Sequence, residues 1–180
     1  MSDNILARAG KMHGDKIECR EKYKAQLEIK THRDYVLNLL TWLKSERYVH
    51  LSFMSCIDWI EENEFELVWH VFSYESKNHI LVKTRLNREK PWMHTAINIW
   101  PHVQPYEQEI HEMFGVYFPG NPDLSGLFLH NWLDLPPLRK DFIAKDYSLA
   151  LYTTDALGLT PPFDDIDIVE ITAEESRDGE

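Results

Sequence analysis

Three runs of alternating apolar and polar residues, joined by short polar turns, constrain this fold more than any other feature of the sequence. The first run spans residues 48–59, the second spans 65–74, and the third continues to residue 86. A period of two is typical of strands with one buried face, and in the first run the odd-numbered residues from Val49 to Trp59 share a face. Because such short turns cannot connect parallel neighbours, the sequence predicts an antiparallel meander.

Helices and a further strand are predicted before the meander. Apolar residues fall at helical spacing over residues 32–46, which predicts a helix that covers the apolar face of the strands. Residues 3–10 favour a short helix, and the alternation around Leu27 and Ile29 favours a strand. We therefore expect an α+β domain over residues 1–100, an antiparallel sheet covered by helices.

The densest concentration of charged, aromatic and turn-forming residues lies between Pro101 and Phe142. Pro105 is suited to start a short helix and Gly115 to end it, because proline is tolerated in the first helical turn and glycine in the left-handed position after the last. Residues 116–142 contain several prolines and show no long period. We expect them to form an extended, irregular docking segment on a surface, since such a segment cannot bury itself.

The end of the chain is acidic. Residues 155–180 carry nine carboxylates and one arginine, which leaves a formal charge of −3 for residues 1–154 out of −11 for the whole chain. We expect an acidic tail there, after the domain at 1–100 and a helix with its docking segment at 101–154. Since no concentrated basic surface is encoded, nucleic acid is excluded as a partner.

Cysteine usage and hydropathy narrow the class of protein further. Cys19 and Cys56 belong to no closely spaced group of cysteines and histidines, so the sequence predicts no iron–sulfur cluster, four-cysteine zinc site or disulfide framework. No apolar run approaches the roughly 18 residues of a membrane span. The first residues also lack a secretory pattern. We expect a globular protein at a cytoplasmic address.

A metal site is one hypothesis for the helix between Pro105 and Gly115. Glu107 and His111 stand at positions i and i+4, and Glu109 and Glu112 at i and i+3, so each pair shares a flank of the helix. A carboxylate-bridged metal needs a second helix with a matching set, and the other strong helix carries none. We therefore favour an interface helix whose polar groups meet basic residues of a partner.

Acid–base chemistry and anion binding are further hypotheses. Asp123, Asp134 and Asp141 are candidate acids or bases, and Arg139 with Lys140 is a candidate anion site. The sequence has no nucleophile elbow or phosphate-binding glycine loop. We favour aspartates that cap turns and an arginine paired with a neighbouring carboxylate. We predict no catalytic, cofactor-binding or metal-ligating residue in this chain.

Basic and aromatic residues suggest how the surface is used. A basic run on and after the third alternating segment predicts a solvated edge strand protected by its charges, namely Lys77, Lys83, Arg85, Arg88 and Lys90. Six tryptophans and eight tyrosines favour a binding subunit, because aromatic anchors are enriched at protein interfaces.

A family resemblance is carried by three segments, YEQEIHEMFGVYF, GNPDL and PPLRKDF. They resemble the signature of the C subunit (30 kDa-type) of respiratory complex I, the NADH:quinone oxidoreductase, and of its relatives in membrane-bound energy-converting hydrogenases and formate hydrogenlyases. The matching positions form the expected partner interface: Glu107, Glu109, Glu112, Gly115, Gly120, Pro122, Asp123, Leu124, Pro137, Leu138, Arg139, Lys140, Asp141 and Phe142.

The chain departs from the family pattern at several positions. Gln108 stands where the family has arginine, and Asn121 where it commonly has histidine. Ser125 and Gly126 replace two arginines, and Glu112 replaces an aspartate. These changes put in doubt any salt bridges that the family makes there. The pattern is nearer to hydrogenase-type or ferredoxin-fed assemblies than to the NADH enzyme.

The resemblance implies a non-catalytic subunit, with no cofactor of its own, in the peripheral arm of a membrane-bound, ion-translocating redox complex of the respiratory chain. Its partners would be the iron–sulfur-cluster subunit and the subunit with the quinone site or the NiFe site. It would brace these two and so support electron transport at the cytoplasmic side of the cell membrane, with the membrane arm reached indirectly. The alternatives are a subunit of an energy-converting NiFe hydrogenase or formate hydrogenlyase and, in another class, a stand-alone metalloenzyme or a free adaptor protein.

Overall fold

The computed structural model describes residues 5–23, 26–129, 132 and 134–151, without the side chains of 149–151. The chain divides into two compact units, Met1–Phe142 and Ile143–Glu180. Of the second unit the structure describes the helix Ala144–Leu151. The predicted acidic tail lies outside the described residues. Every helix within the described segments falls short of the length and hydrophobicity that a membrane span requires.

A five-stranded sheet organises the first unit. Its strands are β1 (Ile17–Tyr23), β2 (Gln26–Thr31), β3 (His50–Trp59), β4 (Glu64–Ser73) and β5 (Asn78–Asn87). Their spatial order is β1-β2-β5-β4-β3. The predicted antiparallel meander is confirmed as β3, β4 and β5, and β1 pairs antiparallel with β2. One pair, β2 with β5, is parallel, because the chain crosses the sheet between β2 and the meander. The α+β class is thus confirmed.

Three helices supply the remaining core of this unit: α1 (Ile5–His13), α2 (Val36–Ser45) and α3 (Gln104–Phe114). They confirm the three helices that the sequence predicts. The four apolar residues that define the period of α2 are all fully buried, namely Val36, Leu39, Leu40 and Leu43. They belong to one apolar cluster with the inward side chains of β2, β4 and β5, so the helices cover one face of the sheet. We call the opposite face, over which no described helix of this unit lies, the uncovered face.

The basic run lies on a central strand, so the predicted solvated edge strand is wrong. β5 has β2 on one side and β4 on the other. Lys83 Nζ lies 2.7 Å from Glu28 Oε2 on β2, and Arg85 Nε donates to Glu66 Oε1 on β4 at 3.1 Å. These pairs cross three strands on the uncovered face of the sheet. Lys83 and Arg85 of β5 therefore form ion pairs with carboxylates of the neighbouring strands.

The alternation in β3 changes face at a bulge. The register with β4 shifts between Leu51 and Phe53, so that Leu51 and Met54 are both buried in the core. The extra residue turns the rest of the run over. Phe53, Ile57 and Trp59, which the sequence places on one face with Leu51, are therefore exposed on the uncovered face.

Candidate functional site: helix α3 and the strap

Helix α3 begins and ends where the sequence predicts. A turn at Pro101–Val103 precedes it, Pro105 lies in its first turn, and Gly115 adopts φ 80° directly after its last residue. A Cβ at Gly115 would lie 3.2 Å from Cγ of Pro136. We call residues 116–142 the strap, of which the structure describes 116–129, 132 and 134–142. The strap thus passes close to the C-terminus of α3 at Pro136.

Glu107 is 0% exposed and joins three segments of the chain. Its Oε2 accepts hydrogen bonds from Thr95 Oγ1 at 2.6 Å and from Asn121 Nδ2 at 2.9 Å. Its Oε1 accepts one from the backbone N–H of Ala96 at 2.8 Å. Burial raises the pKa of this carboxyl above its ordinary value, although the three hydrogen bonds act in the opposite direction. Glu107 therefore fastens both the connector before α3 and the strap after it.

Glu112, one turn further along α3, binds the backbone of the strap. Its two oxygens accept hydrogen bonds from the N–H groups of Leu127, Phe128 and Leu129, the shortest being 2.6 Å from Leu129. Gly126 is needed for this approach. A Cβ there would lie 2.9 Å from the Leu129 carbonyl oxygen and 3.1 Å from Glu112 Oε1. One carboxylate thus fixes the middle of the strap.

Arg88, directly after β5, fixes the end of the strap. It donates to both oxygens of Asp58 on β3 at 2.9 and 3.1 Å, and to both oxygens of Asp141 at 3.1 and 2.6 Å. The backbone N–H of Lys140 also donates to Asp58 Oδ2 at 2.8 Å. A single buried arginine therefore joins the sheet to the PPLRKDF segment.

The charges around Arg88 stabilise one another in their ionised forms. The hydrogen bonds from Arg88 hold the pKa of Asp141 well below its ordinary range, and Arg139 acts in the same direction. For Asp58, burial acts to raise the pKa, but the hydrogen bonds from Arg88 and from the Lys140 backbone outweigh it and the pKa is lowered. The two carboxylates in turn raise the pKa of Arg88.

The interpretation of Arg139 and the aspartates as intramolecular partners is confirmed. Arg139 Nε donates to Asp141 Oδ1 at 3.2 Å, and its guanidinium lies 5.4 Å from the centre of the Phe65 ring. Asp123 Oδ1 accepts from the Ser125 N–H at 2.9 Å, and Asp134 Oδ1 from the N–H that follows it. These aspartates cap turns of the strap, as the sequence indicates.

The four side chains considered for a metal site do not form one. Glu107 is buried among its three donors, while Glu109 is exposed. His111 Nδ1 donates to the Val116 carbonyl at 2.9 Å, and Glu112 is bound to strap amides. In the part of the chain that the structure describes, no three histidine, cysteine or carboxylate side chains gather as metal ligands.

The strap exposes apolar side chains, while its Arg139 and Asp141 pair within the chain. Phe128 is 60% exposed and Leu138 is 55% exposed, and Leu127 and Leu135 are exposed as well. Polar anchors hold the backbone beside them, since Glu112 binds the amides of Leu127 and Phe128 and the Leu138 N–H donates to the Met113 carbonyl at 3.0 Å. Contact of the signature residues with a partner stays a prediction, and these outward side chains offer the surface for it.

Sequence reasoning missed three residues that complete the site, namely Asp58, Arg88 and Thr95. Asp58 lies on the buried face of β3 because the bulge turns the strand over, and the continuous alternation of the sequence gives no signal of this burial. Arg88 was visible as part of the basic run. Nothing local marks Thr95, whose hydroxyl meets Glu107 twelve residues later in the chain.

The fold is an α+β sheet domain in which α3 and Arg88 hold the strap through hydrogen bonds within the chain. Residues 29–148 match the family described as "Respiratory-chain NADH dehydrogenase, 30 Kd subunit". The chain belongs to this family, which confirms the resemblance carried by its signature.

Curated relatives carry names from two kinds of enzyme complex. The chain is 34% identical over 110 residues to the C subunit of the NADH-quinone oxidoreductase of Moorella thermoacetica, which covers 61% of this chain and 74% of that protein. It is 31% identical over 112 residues to the C subunit of the F420H2 dehydrogenase of Methanosarcina mazei, covering 61% of this chain and 71% of the relative. With the C subunit of the NADH-quinone oxidoreductase of Maricaulis maris it shares 32% identity over 126 residues, 68% of this chain and 62% of that one.

Solved structures share the fold. A chain from the structure of the membrane-bound sulfane sulfur reductase, an archaeal respiratory membrane complex, is similar with a TM-score of 0.75 and 27% identity, over 91% of this chain and 95% of that one. A trypsin-resistant fragment of Nqo5 has a TM-score of 0.59 at 18% identity, over 69% of this chain and all of the fragment, which shows the fold alone.

Proposed function

We propose that this protein is a non-catalytic subunit of the peripheral arm of a membrane-bound, ion-translocating redox complex. In it, α3 and the strap dock on neighbouring subunits. The observation that carries the proposal is the division of roles between polar and apolar side chains in α3 and the strap. Glu107, Glu112, Asp123, Arg139 and Asp141 bind the chain's own backbone and side chains. The apolar residues Leu127, Phe128, Leu135 and Leu138 are exposed.

An anchored strap suits docking for an energetic reason. An irregular segment that orders only on binding loses conformational entropy at that moment, which weakens association. The anchors at Glu107, Glu112 and Arg88 order the strap beforehand. Exposed apolar side chains on an ordered backbone then supply the anchors that interfaces prefer.

The expected neighbours are the subunit with the terminal iron–sulfur cluster and the subunit with the quinone or NiFe site. The protein would brace these two at a fixed separation and support electron transfer without binding a cofactor itself. Family membership and the similarity to a chain of an archaeal respiratory membrane complex support this assignment. The location would be the cytoplasmic side of the cell membrane.

A second candidate differs in the electron acceptor. The chain is similar over nearly its whole length to a chain from the sulfane sulfur reductase structure, and it has neutral Gln108 and Asn121 at two signature positions. These observations favour a respiratory membrane complex with another electron acceptor, and an energy-converting hydrogenase is one such alternative. The sequence of the neighbouring large subunit would distinguish the two candidates, because paired cysteines for a NiFe centre indicate a hydrogenase.

The test is to purify the tagged full chain from membranes of the cells that produce it and to identify the proteins that accompany it. We expect an iron–sulfur protein and a large catalytic subunit, with iron in the assembly. Recovery of the chain alone would overturn the proposal. So would iron, nickel or flavin bound at stoichiometric level to the isolated chain.

A further inference from the structure

The two edge strands of the sheet carry opposite kinds of side chains. β1 exposes charges along its length, at Glu18, Arg20, Glu21 and Lys22. The segment around β3 instead exposes large apolar residues: Val49 before the strand, Phe53, Ile57 and Trp59 within it, and Ile60 after it. Charges on an edge prevent pairing with another strand, and an apolar uncharged edge invites it.

The backbone of β3 is open on one side. Side chains cover the carbonyls at its start, because Trp100 Nε1 donates to the Val49 carbonyl at 2.8 Å and Tyr106 Oη to the Ser52 carbonyl at 3.2 Å. From Phe53 to Trp59, β4 is the strand that pairs with β3. No other described segment makes a backbone–backbone hydrogen bond to this part of β3.

We propose that an extended segment of a partner subunit pairs with β3 between Phe53 and Trp59 and adds a sixth strand to the sheet. This inference rests on the proposed function and adds a second docking surface to it. Backbone N–H and C=O groups in a row recognise a strand rather than a helix. The segment would be uncharged, and alternate apolar side chains would lie against Phe53, Ile57 and Trp59.

The open edge adjoins the strap. Asp58, near the end of β3, accepts the hydrogen bond from the Lys140 N–H, so the last part of the strap lies at the C-terminal end of this strand. A partner that covers Leu138 on the strap is therefore within a few residues of the edge of β3. This continuity favours a partner subunit over a second copy of the chain, whose pairing through β3 would be independent of the strap.

Hydrogen exchange of the β3 amides tests the pairing itself. In the isolated chain, the outward amides between Phe53 and Trp59 are expected to exchange rapidly, and in the purified complex at least about tenfold more slowly. Equal exchange in both samples would overturn the inference. Protection that rises with the concentration of the isolated chain would also overturn it, because a second copy would then be the occupant.

A pair of matched substitutions tests the surface. Ile57→Lys places a charge on the open edge, and Tyr23→Lys does the same on β1, where the side chain is 65% exposed. We expect Ile57→Lys to lower the amount of chain recovered in the complex at least about tenfold and Tyr23→Lys to leave it unchanged. Equal recovery of both variants would contradict the inference. If the unsubstituted chain recovers no partner, the proposed function itself fails.

Discussion

Arg88 and Asp58 form a buried, doubly hydrogen-bonded ion pair, with Nε–Oδ1 at 2.9 Å and Nη2–Oδ2 at 3.1 Å. The same guanidinium binds Asp141 of the strap. Sheet and strap therefore share one buried positive charge. Removing that charge leaves Asp58 with the Lys140 N–H as its remaining donor and leaves Asp141 with Arg139, so the sheet and the strap lose the ion pairs that join them.

Arg88→Ala is expected to lower the free energy of unfolding by about 3–5 kcal/mol, because it leaves a buried carboxylate uncompensated. Urea denaturation followed by tryptophan fluorescence measures the change. The matched control is Arg47→Ala, since Arg47 is exposed and its nearest carboxylate, Glu75, lies 3.8 Å away. The control should cost about 0–1 kcal/mol. Similar losses for both variants would contradict the role of Arg88.

The lowered pKa values of Asp58 and Asp141 predict acid lability. The ordinary pKa of an aspartate in the unfolded chain is about 3.9, so near and below that pH the unfolded state binds more protons than the folded state. The contribution of Asp58 and Asp141 to the free energy of unfolding should be constant above about pH 5 and fall as the pH decreases below about 4. Asp141→Asn should weaken this dependence; an unchanged slope in unfolding curves between about pH 2.5 and 7 would refute the assignment.

The raised pKa of Glu107 predicts that its contribution to the free energy of unfolding changes with pH in the opposite direction. The folded chain holds this proton more tightly than the unfolded chain, so the contribution of Glu107 is greatest below about pH 4 and decreases as the pH rises through the folded-state pKa. Glu107→Gln removes that dependence. The difference in unfolding free energy between the unsubstituted chain and the variant should therefore shrink toward alkaline pH, and a difference that grows would show that the sign is wrong.

The same variant also has a fixed cost. An amide offers one acceptor oxygen where the carboxylate offers two, so one of the donors Thr95, Ala96 and Asn121 loses its partner. We expect a loss of about 1–3 kcal/mol for Glu107→Gln at a pH above the folded-state pKa of Glu107, where its side chain is a carboxylate. Glu109→Gln lies on the exposed side of the same helix, and it should change the free energy of unfolding by less than about 0.5 kcal/mol.

Two glycine substitutions should act in opposite directions. Gly126→Ala places a Cβ against the Leu129 carbonyl and the Glu112 carboxylate, so the strap must shift and we expect a loss of about 1–3 kcal/mol. Gly10→Ala meets open space within α1 and should stabilise by about 0.5–1 kcal/mol. Thermal unfolding of both variants checks the pair. Equal stability of the two would argue against tight packing at Gly126.

Local signals account for what the sequence predicts correctly. The period of α2, the proline and glycine that bound α3, and the short turns of the meander all act within a few residues. They specify element type and the antiparallel pairing of neighbours. The capping role of Asp123 and Asp134 is equally local, since each binds an N–H one or two residues on.

Distant contacts account for what the sequence leaves open. The central position of β5 follows from its parallel pairing with β2, which no local pattern indicates. The bulge in β3 interrupts an alternation that is continuous in the sequence. Burial of Glu107 depends on donors from two other segments, and Asp58 meets an N–H from Lys140 near the far end of the strap. The pairing of Glu107, Glu112 and Asp141 within the chain therefore depends on the fold and has no local signature in the sequence.

The double substitution Phe128→Ala with Leu138→Ala tests most directly whether the anchored strap presents apolar residues to a partner. Met12→Ala, at a residue 68% exposed on α1, is the control. The free energy of unfolding of both variants should lie within about 0.5 kcal/mol of that of the unsubstituted chain. The double variant should be recovered in the complex at least about tenfold less than the parent, and the control should be recovered equally. Normal recovery of the stably folded double variant would contradict the account.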